Sequence, residues 1–171
     1  MNKRAIAFSG ILVSVTAACA TTLPPEQRAA EVERVQCDSN PAASIDDARV
    51  LERASVIASE PLYSHIITGA DDSEQRVDGA KLVIRPPDGV SAERMTRIIQ
   101  CHAARALLGK LDRAGLPDDP FWLPDTWVSV EVRPENGNYA VVLEANDVRT
   151  NLKVAAGARR YALSHALAAA P

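Results

Sequence analysis

Large rings are scarce in this chain, with two tryptophans, two phenylalanines and three tyrosines among 171 residues. That excludes a core built on stacked aromatics, and the many alanines point to closely approaching helices instead. Positive charge is not in excess, since 19 Lys and Arg against 22 Asp and Glu give a formal net charge of −3. A nucleic-acid or anionic-lipid partner is therefore not expected. Cysteine is limited to Cys19, Cys37 and Cys101, with no C-x-x-C pair and no zinc-ligand spacing. Nothing resembles a nucleophile elbow, and the acids of residues 69–79 do not fall in a calcium-loop register. The one long apolar run, Ala5 to Ala18, covers 14 residues, whereas a bilayer-spanning helix takes about 20.

What is present starts with that run. Lys3 and Arg4 precede it and Cys19 follows it, which is the layout of an export signal. Val15-Thr16-Ala17-Ala18-Cys19 resembles the lipobox of bacterial lipoproteins, with Thr16 where an aliphatic residue is usual. The resemblance implies a signal peptide over residues 1–18, palmitate-type acylation of Cys19 and membrane attachment through that lipid. Ala20, in place of an aspartate-like retention signal, favours the outer membrane, with the domain facing the periplasm. Ordinary cleavage after Ala18-Cys19-Ala20 is the alternative, and it gives a soluble periplasmic or secreted protein. Removal of residues 1–18 takes Lys3 and Arg4 with it, moves the formal charge to −5 and leaves 153 residues, enough for one domain with a core. Either route leaves Cys37 and Cys101 in an oxidising compartment, where pairing is expected. Such a disulfide closes a loop of 64 positions and contributes about 4 kcal/mol by the chain-entropy model. Two buried free thiols, or a redox or metal role, are the other readings of the pair.

Along the chain, residues 19–43 read as a lipidated N-terminus and tether, with a short polar helix from Pro24 and Pro25 to Gln36. A single α+β domain is expected over residues 44–171. Ile45, Ala48, Leu51, Ala54 and Ala58 recur at helical spacing after a Ser44 cap, predicting a helix to Ser59 that ends before Pro61. Residues 69–79 read as a polar loop and Lys81 to Arg85 as a strand closed by Pro86 and Pro87. Ser91 caps a helix to Gly109 with Met95, Ile98, Ile99, His102 and Ala106 on one face. Asn136-Gly137 signals a type I′ hairpin that pairs Val132 with Val141, Val130 with Leu143 and Val128 with Ala145. A last helix runs from Asp147 to Ala168, with Val148, Leu152, Ala155, Ala162 and Ala166 as its stripe. The expected fold is a β-α-β-β-α core with a three-stranded sheet of order 1-3-2, helices packed on one face and an added N-terminal helix. That order is similar to the ring-building and KH-like modules of secretion-system lipoproteins and secretins, a likeness of fold that transfers no function.

The candidates for chemistry are few. His102 sits beside Cys101 on the apolar stripe, as a core histidine or as a ligand or base. Adjacent helical residues project about 100° apart, so the two cannot readily chelate one ion. His65 and His165 are isolated. Phe121, Trp122 and Trp127 lie within seven residues among prolines, and read either as a rigid binding loop or as a plug of the sheet's open end. Gly79-Ala80-Lys81-Leu82-Val83-Ile84-Arg85, Ser91-Ala92-Glu93 and Cys101-His102-Ala103-Ala104-Arg105 together resemble a group of exported bacterial proteins and lipoproteins with the pattern G-A-x-L-V-V-R, T-A-E, C-H-x-A-R. Glu135-Asn136-Gly137-Asn138-Tyr139 matches the group's later turn, and the likeness spans roughly residues 60 to 165. No activity is known for the group, so it implies domain boundaries and no catalytic residue. The expectation is a non-catalytic binding or assembly module tethered in the cell envelope, with an envelope protein as partner and no cofactor. The alternative is a small metal-binding or redox protein centred on Cys101 and His102, and a hydrolase is a distant third.

Overall fold

A computed structural model describes residues 23–37, 39, 41–67, 73–111 and 118–168. The export signal over 1–18, Cys19, Pro117 and residues 69–72 of the expected loop lie outside the described residues. The elements are α1 (Pro25–Gln36), α2 (Pro41–Glu52), β1 (Val56–Ile67), β2 (Ser73–Ile84), α3 (Ala92–Leu107), β3 (Ser129–Glu135), β4 (Asn138–Glu144) and α4 (Val148–Ala168). The strands form one antiparallel sheet of order β1-β2-β4-β3.

This corrects the expected three-stranded sheet of order 1-3-2, because a fourth strand lies at the edge where a helix was read. Helix α2 stops at Glu52, and the chain from Val56 pairs with β2 instead of continuing helically. Two alanines, Ala54 and Ala58, had extended the helical pattern, yet Val56 and Ile57 are β-branched and favour a pleated strand. Pro61 does not break β1, since β1 is an edge strand and a missing N–H is tolerated there. Strand β2 starts at Ser73, so the latter part of the expected polar loop is paired strand.

Between Leu62 and Tyr63 the β1–β2 register shifts, leaving Asp78 as the extra residue of a bulge. Gly79 beside it adopts φ +153°, and a Cβ there would fall on the carbonyl oxygen of Leu143 in β4. The residue type lets β2 approach β4 at this point.

At the β3–β4 hairpin the turn chemistry decides the register. Asn136 (φ 51°) and Gly137 (φ 76°) both take positive φ, as a type I′ turn requires. Val132 pairs with Val141 and Val130 with Leu143. All four are buried, whereas Glu131, Arg133 and Glu144 point to the opposite, exposed face.

Helices α3 and α4 cover one face of the sheet, and Leu82, Ile84, Met95, Ile98, Val141 and Leu143 are among the buried residues of the shared core. Ser91 caps α3, its hydroxyl accepting from the Arg94 N–H at 3.2 Å. The stripe expected on α4 is rotated in part. Val148 and Leu152 are exposed, Ala155 and Ala162 pack half-buried against the core, and Asn151, Val154, Ala158 and Tyr161 face it fully, while the side chain of Ala166 lies outside the description. The cause lies at Asn151, whose side-chain amide bonds both the N–H (2.7 Å) and the carbonyl (3.1 Å) of Ala145 and so sets the rotation of the first turn. Helix α1, in the segment read as a tether, packs on the outside of α3, burying Ala29 against Ala104 and Trp127.

The outer backbone of edge strand β3 is already engaged. Val132 N–H donates to Thr96 Oγ1 (3.2 Å) and Gln100 Nε2 donates to the Val130 carbonyl (3.2 Å), both from α3. With Pro61 in β1, each edge carries a device that opposes adding another strand.

Candidate functional site

His102 projects from α3 toward the segment that follows residue 117. Its Nε2 lies 2.5 Å from Asp119 Oδ2, and Asp119 Oδ1 accepts the Phe121 N–H at 2.9 Å. Both side chains are nearly buried, 11% and 12% exposed. The His102 ring meets Phe121 edge-on, Phe121 meets Tyr161 in the same way, and the Tyr161 hydroxyl donates to the Leu51 carbonyl at 3.2 Å. Burial, and secondarily the Asp119 charge, push the Tyr161 phenol above its ordinary pKa. The pair thus ties α3 to the 118–123 segment, and through the rings to α4 and α2.

A carboxylate that holds an imidazole can orient it for proton transfer. Among the described residues the space beside this imidazole is small. The crevice next to His102, lined by Asp47, Leu51 and Arg105 among others, holds about 20 Å³, room for a water molecule. Nor is the neighbouring thiol free for chemistry, because Cys101 and Cys37 stand at disulfide distance with Cα atoms 5.5 Å apart. Among the described residues no group of three or more His, Cys, Asp and Glu is placed to hold a metal ion. His65 lies exposed on β1 opposite Gln75. His165 Nδ1 sits 3.0 Å from the Tyr161 carbonyl and its ring stacks at 3.9 Å on Tyr161.

The three clustered aromatics diverge. Phe121 enters the main core, and Trp127 packs between α1 and α3 with the Arg28 guanidinium 5.4 Å from its ring. Trp122 is half-buried and lines a cleft of about 260 Å³ with Glu26, Leu107, Pro124 and Asp125. A second groove, of about 270 Å³, runs between the 118–123 segment and α4, and the Arg160–Asp118 ion pair (2.7 Å) sits on its rim.

Among the described residues, the sheet face opposite the helices is open to solvent. Ala58, Leu62, Val83 and Val142 lie on it half-buried, between Glu60, Lys81, Glu131, Arg133 and Glu144. Lys81 bridges Glu60 and Glu135, each at 3.2 Å, and these two bonds, Glu135 first, raise its pKa. Sequence reasoning missed Asp119 as the partner of His102, because nothing in the spacing links a helix residue to an acid 17 positions on. By contrast, the alternation of the hairpin itself turns Glu131, Arg133, Ala140 and Glu144 to one face, where the three charged residues are exposed and Ala140 is buried.

Comparison of the chain with family models, with curated proteins and with solved structures found no match in any of the three. Among the described residues no helix is long and apolar enough to cross a membrane.

Proposed function

We propose that this chain is a non-catalytic binding or assembly module of the cell envelope, anchored through a lipid on Cys19 after removal of residues 1–18. The observation that carries the reading is the open sheet face, a mixed surface of half-buried aliphatic and charged side chains over which no described element packs. A solvent-facing surface that mixes aliphatic and charged side chains can take a protein partner. The Cys37–Cys101 pair supports an oxidising compartment. The resemblance to exported proteins over roughly residues 60 to 165 is part of the same proposal.

The test combines chemistry and crosslinking in intact cells. Metabolic labelling with an alkyne palmitate should mark the wild type and fail on Cys19→Ala. Mass spectrometry should find a Cys37–Cys101 crosslinked peptide and a mass two protons below the reduced value. A photoreactive residue at Val83 or Val142 should trap a discrete protein species, whereas the same probe at Leu163 on exposed α4 should not. Free thiols with a bound ion would instead establish the metal or redox reading. An unlipidated, soluble product would remove the tether from the proposal.

A further inference from the structure

We infer that the exposed face of α4 seats the domain on a membrane surface that carries anionic phospholipid. The inference rests on the lipid-anchored reading of the chain and names the surface that the folded domain turns to the bilayer.

Helix α4 has no aspartate or glutamate along its 21 residues, and every exposed residue described on it is aliphatic or cationic. At about 100° per residue, Val148, Leu152 and Leu163 fall in one row, with Arg159 among them and Ala156 beside it. Arg149, Lys153 and Arg160 form the adjoining row. Leu152 and Leu163 are more than half exposed, and the face runs about 22 Å from Val148 to Leu163. Arg160 is paired with Asp118 at 2.7 Å and Lys153 interacts with the Asp147 charge, whereas Arg149 and Arg159 have no ion-pair partner among the described residues. Aliphatic side chains bordered by lysine and arginine, on a face without acids, are the composition of a helix that lies in the headgroup layer. The formal charge of −3 argues against an anionic partner only for the molecule as a whole. Attraction at a surface follows the local face, within a Debye length of about 10 Å.

The choice of occupant follows from charge and from the start of the folded chain. A second copy meeting this face through its own would set cation against cation. A bilayer is favoured over an acidic protein because Pro25, which opens α1, lies six positions after Cys19, a reach of about 20 Å at full extension. A lipid on Cys19 therefore keeps the domain at the membrane surface. Glu26 of α1 shares a cleft with Trp122 and Pro124, and Lys153 of α4 shares another with Leu123, so the start of α1 and α4 stand on either side of one short segment. Asp118 and Asp119 of that segment are committed to Arg160 and His102. One acyl chain gives marginal attachment, and a basic face supplies the second contact that makes it stable. Because α3 and α4 cover the same side of the sheet, a domain seated on α4 turns its open sheet face away from the bilayer.

The experiment measures flotation of the oxidised exported chain, residue 19 onward, with Cys19→Ala so that no acyl chain contributes. Vesicles of equal parts phosphatidylglycerol and phosphatidylethanolamine are compared with vesicles of phosphatidylcholine. The chain should float with the anionic vesicles alone and be released as salt rises. Each cation at the surface contributes about fivefold, so Arg149→Gln combined with Arg159→Gln should weaken binding roughly 25-fold. Leu152→Ser combined with Leu163→Ser should weaken it by about tenfold or more, and Arg133→Gln on the open sheet face should leave it unchanged. Circular dichroism of each variant checks that the fold is kept. In cells, a photoreactive residue at Leu163 should yield a phospholipid adduct. Equal flotation on phosphatidylcholine, flotation on neither vesicle, an equal loss with Arg133→Gln, or a discrete protein trapped from Leu163 would each overturn the inference, the last in favour of an acidic protein. Palmitate labelling of Cys19 and crosslinks from Val83 and Val142 that persist after such a failure would leave the binding-module reading standing. Selective flotation without them would leave the membrane face standing alone.

Discussion

Replacing Gly79 with alanine tests whether the close approach of β2 to β4 is what the sheet depends on. The new Cβ would fall on the Leu143 carbonyl oxygen, and the backbone sits at φ +153°, where a side chain is strained. Keeping the native backbone costs roughly 1–3 kcal/mol in strain. Relieving the clash moves β2 off β4 near the Ala80–Leu143 pair, with backbone hydrogen bonds worth about 1 kcal/mol each lost. The sum is roughly 3–5 kcal/mol, a large fraction of the 5–15 kcal/mol that holds a typical domain. Gly137→Ala is the matched control. Its φ is +76° and nothing lies within 4 Å of its added Cβ, so it meets only the left-handed penalty of roughly 1–2 kcal/mol. Urea unfolding followed by circular dichroism should place Gly79→Ala about 2 kcal/mol or more below Gly137→Ala, with a melting temperature roughly 10 °C under wild type. If Gly79→Ala loses no more than Gly137→Ala, the bulge does not hold the strands as described.

Reducing the wild-type protein, which removes the Cys37–Cys101 link without deleting an atom, should lower stability by about 4 kcal/mol for the 64-residue separation; equal urea midpoints in the oxidised and reduced forms would contradict it. Asp119→Ala strips the acceptor from His102 and from the Phe121 N–H in a nearly closed site, and should cost about 2–4 kcal/mol by the same unfolding assay. Asp147, whose carboxyl is held below its ordinary value by the Thr150 hydroxyl and then the Thr150 N–H, contributes stability above its unfolded pKa and loses it as pH falls through the lower folded value. The gap between wild type and Asp147→Ala should therefore close on acidification, and a gap that widens would refute the assignment. Tyr161, raised by burial, contributes stability that is present below its unfolded pKa and lost as pH rises through the folded one. Subtracting the Tyr161→Phe absorbance titration should thus show no phenolate from this ring until alkali unfolds the chain.

The hairpin was legible because turn residues and alternation make independent demands that agree at Asn136-Gly137 and along Val130 to Leu143, while the expected Val128–Ala145 pair falls beyond the strand ends at Ser129 and Glu144. Helix α3 was legible from the spacing of Met95, Ile98 and Ile99 under a serine cap. Strand β1 was not, because alanine counts as apolar in either period and Pro61 is a breaker only for a strand flanked on both sides. The face of α4 was misread for a different reason. Alanine-rich helices carry several equivalent stripes, and the choice among them fell to Asn151, a polar residue that no apolar count would put inside. The same holds at the site, where the divergence of Phe121, Trp122 and Trp127 depends on the path of a loop and on α1 packing over it, both tertiary facts.

The cross-link between α1 and α3 also determines how the domain would bear tension. A pull on the N-terminal side of Cys37 passes through the two sulfur atoms into Cys101, in the middle of α3. Helix α2 and strands β1 and β2 lie within the bypassed stretch, outside the covalent load path. Tension between the N-terminal end and the chain beyond Cys101 would thus strain α1 and α3 first. The bulge at Asp78 and the strand contact at Gly79 would remain mechanically shielded.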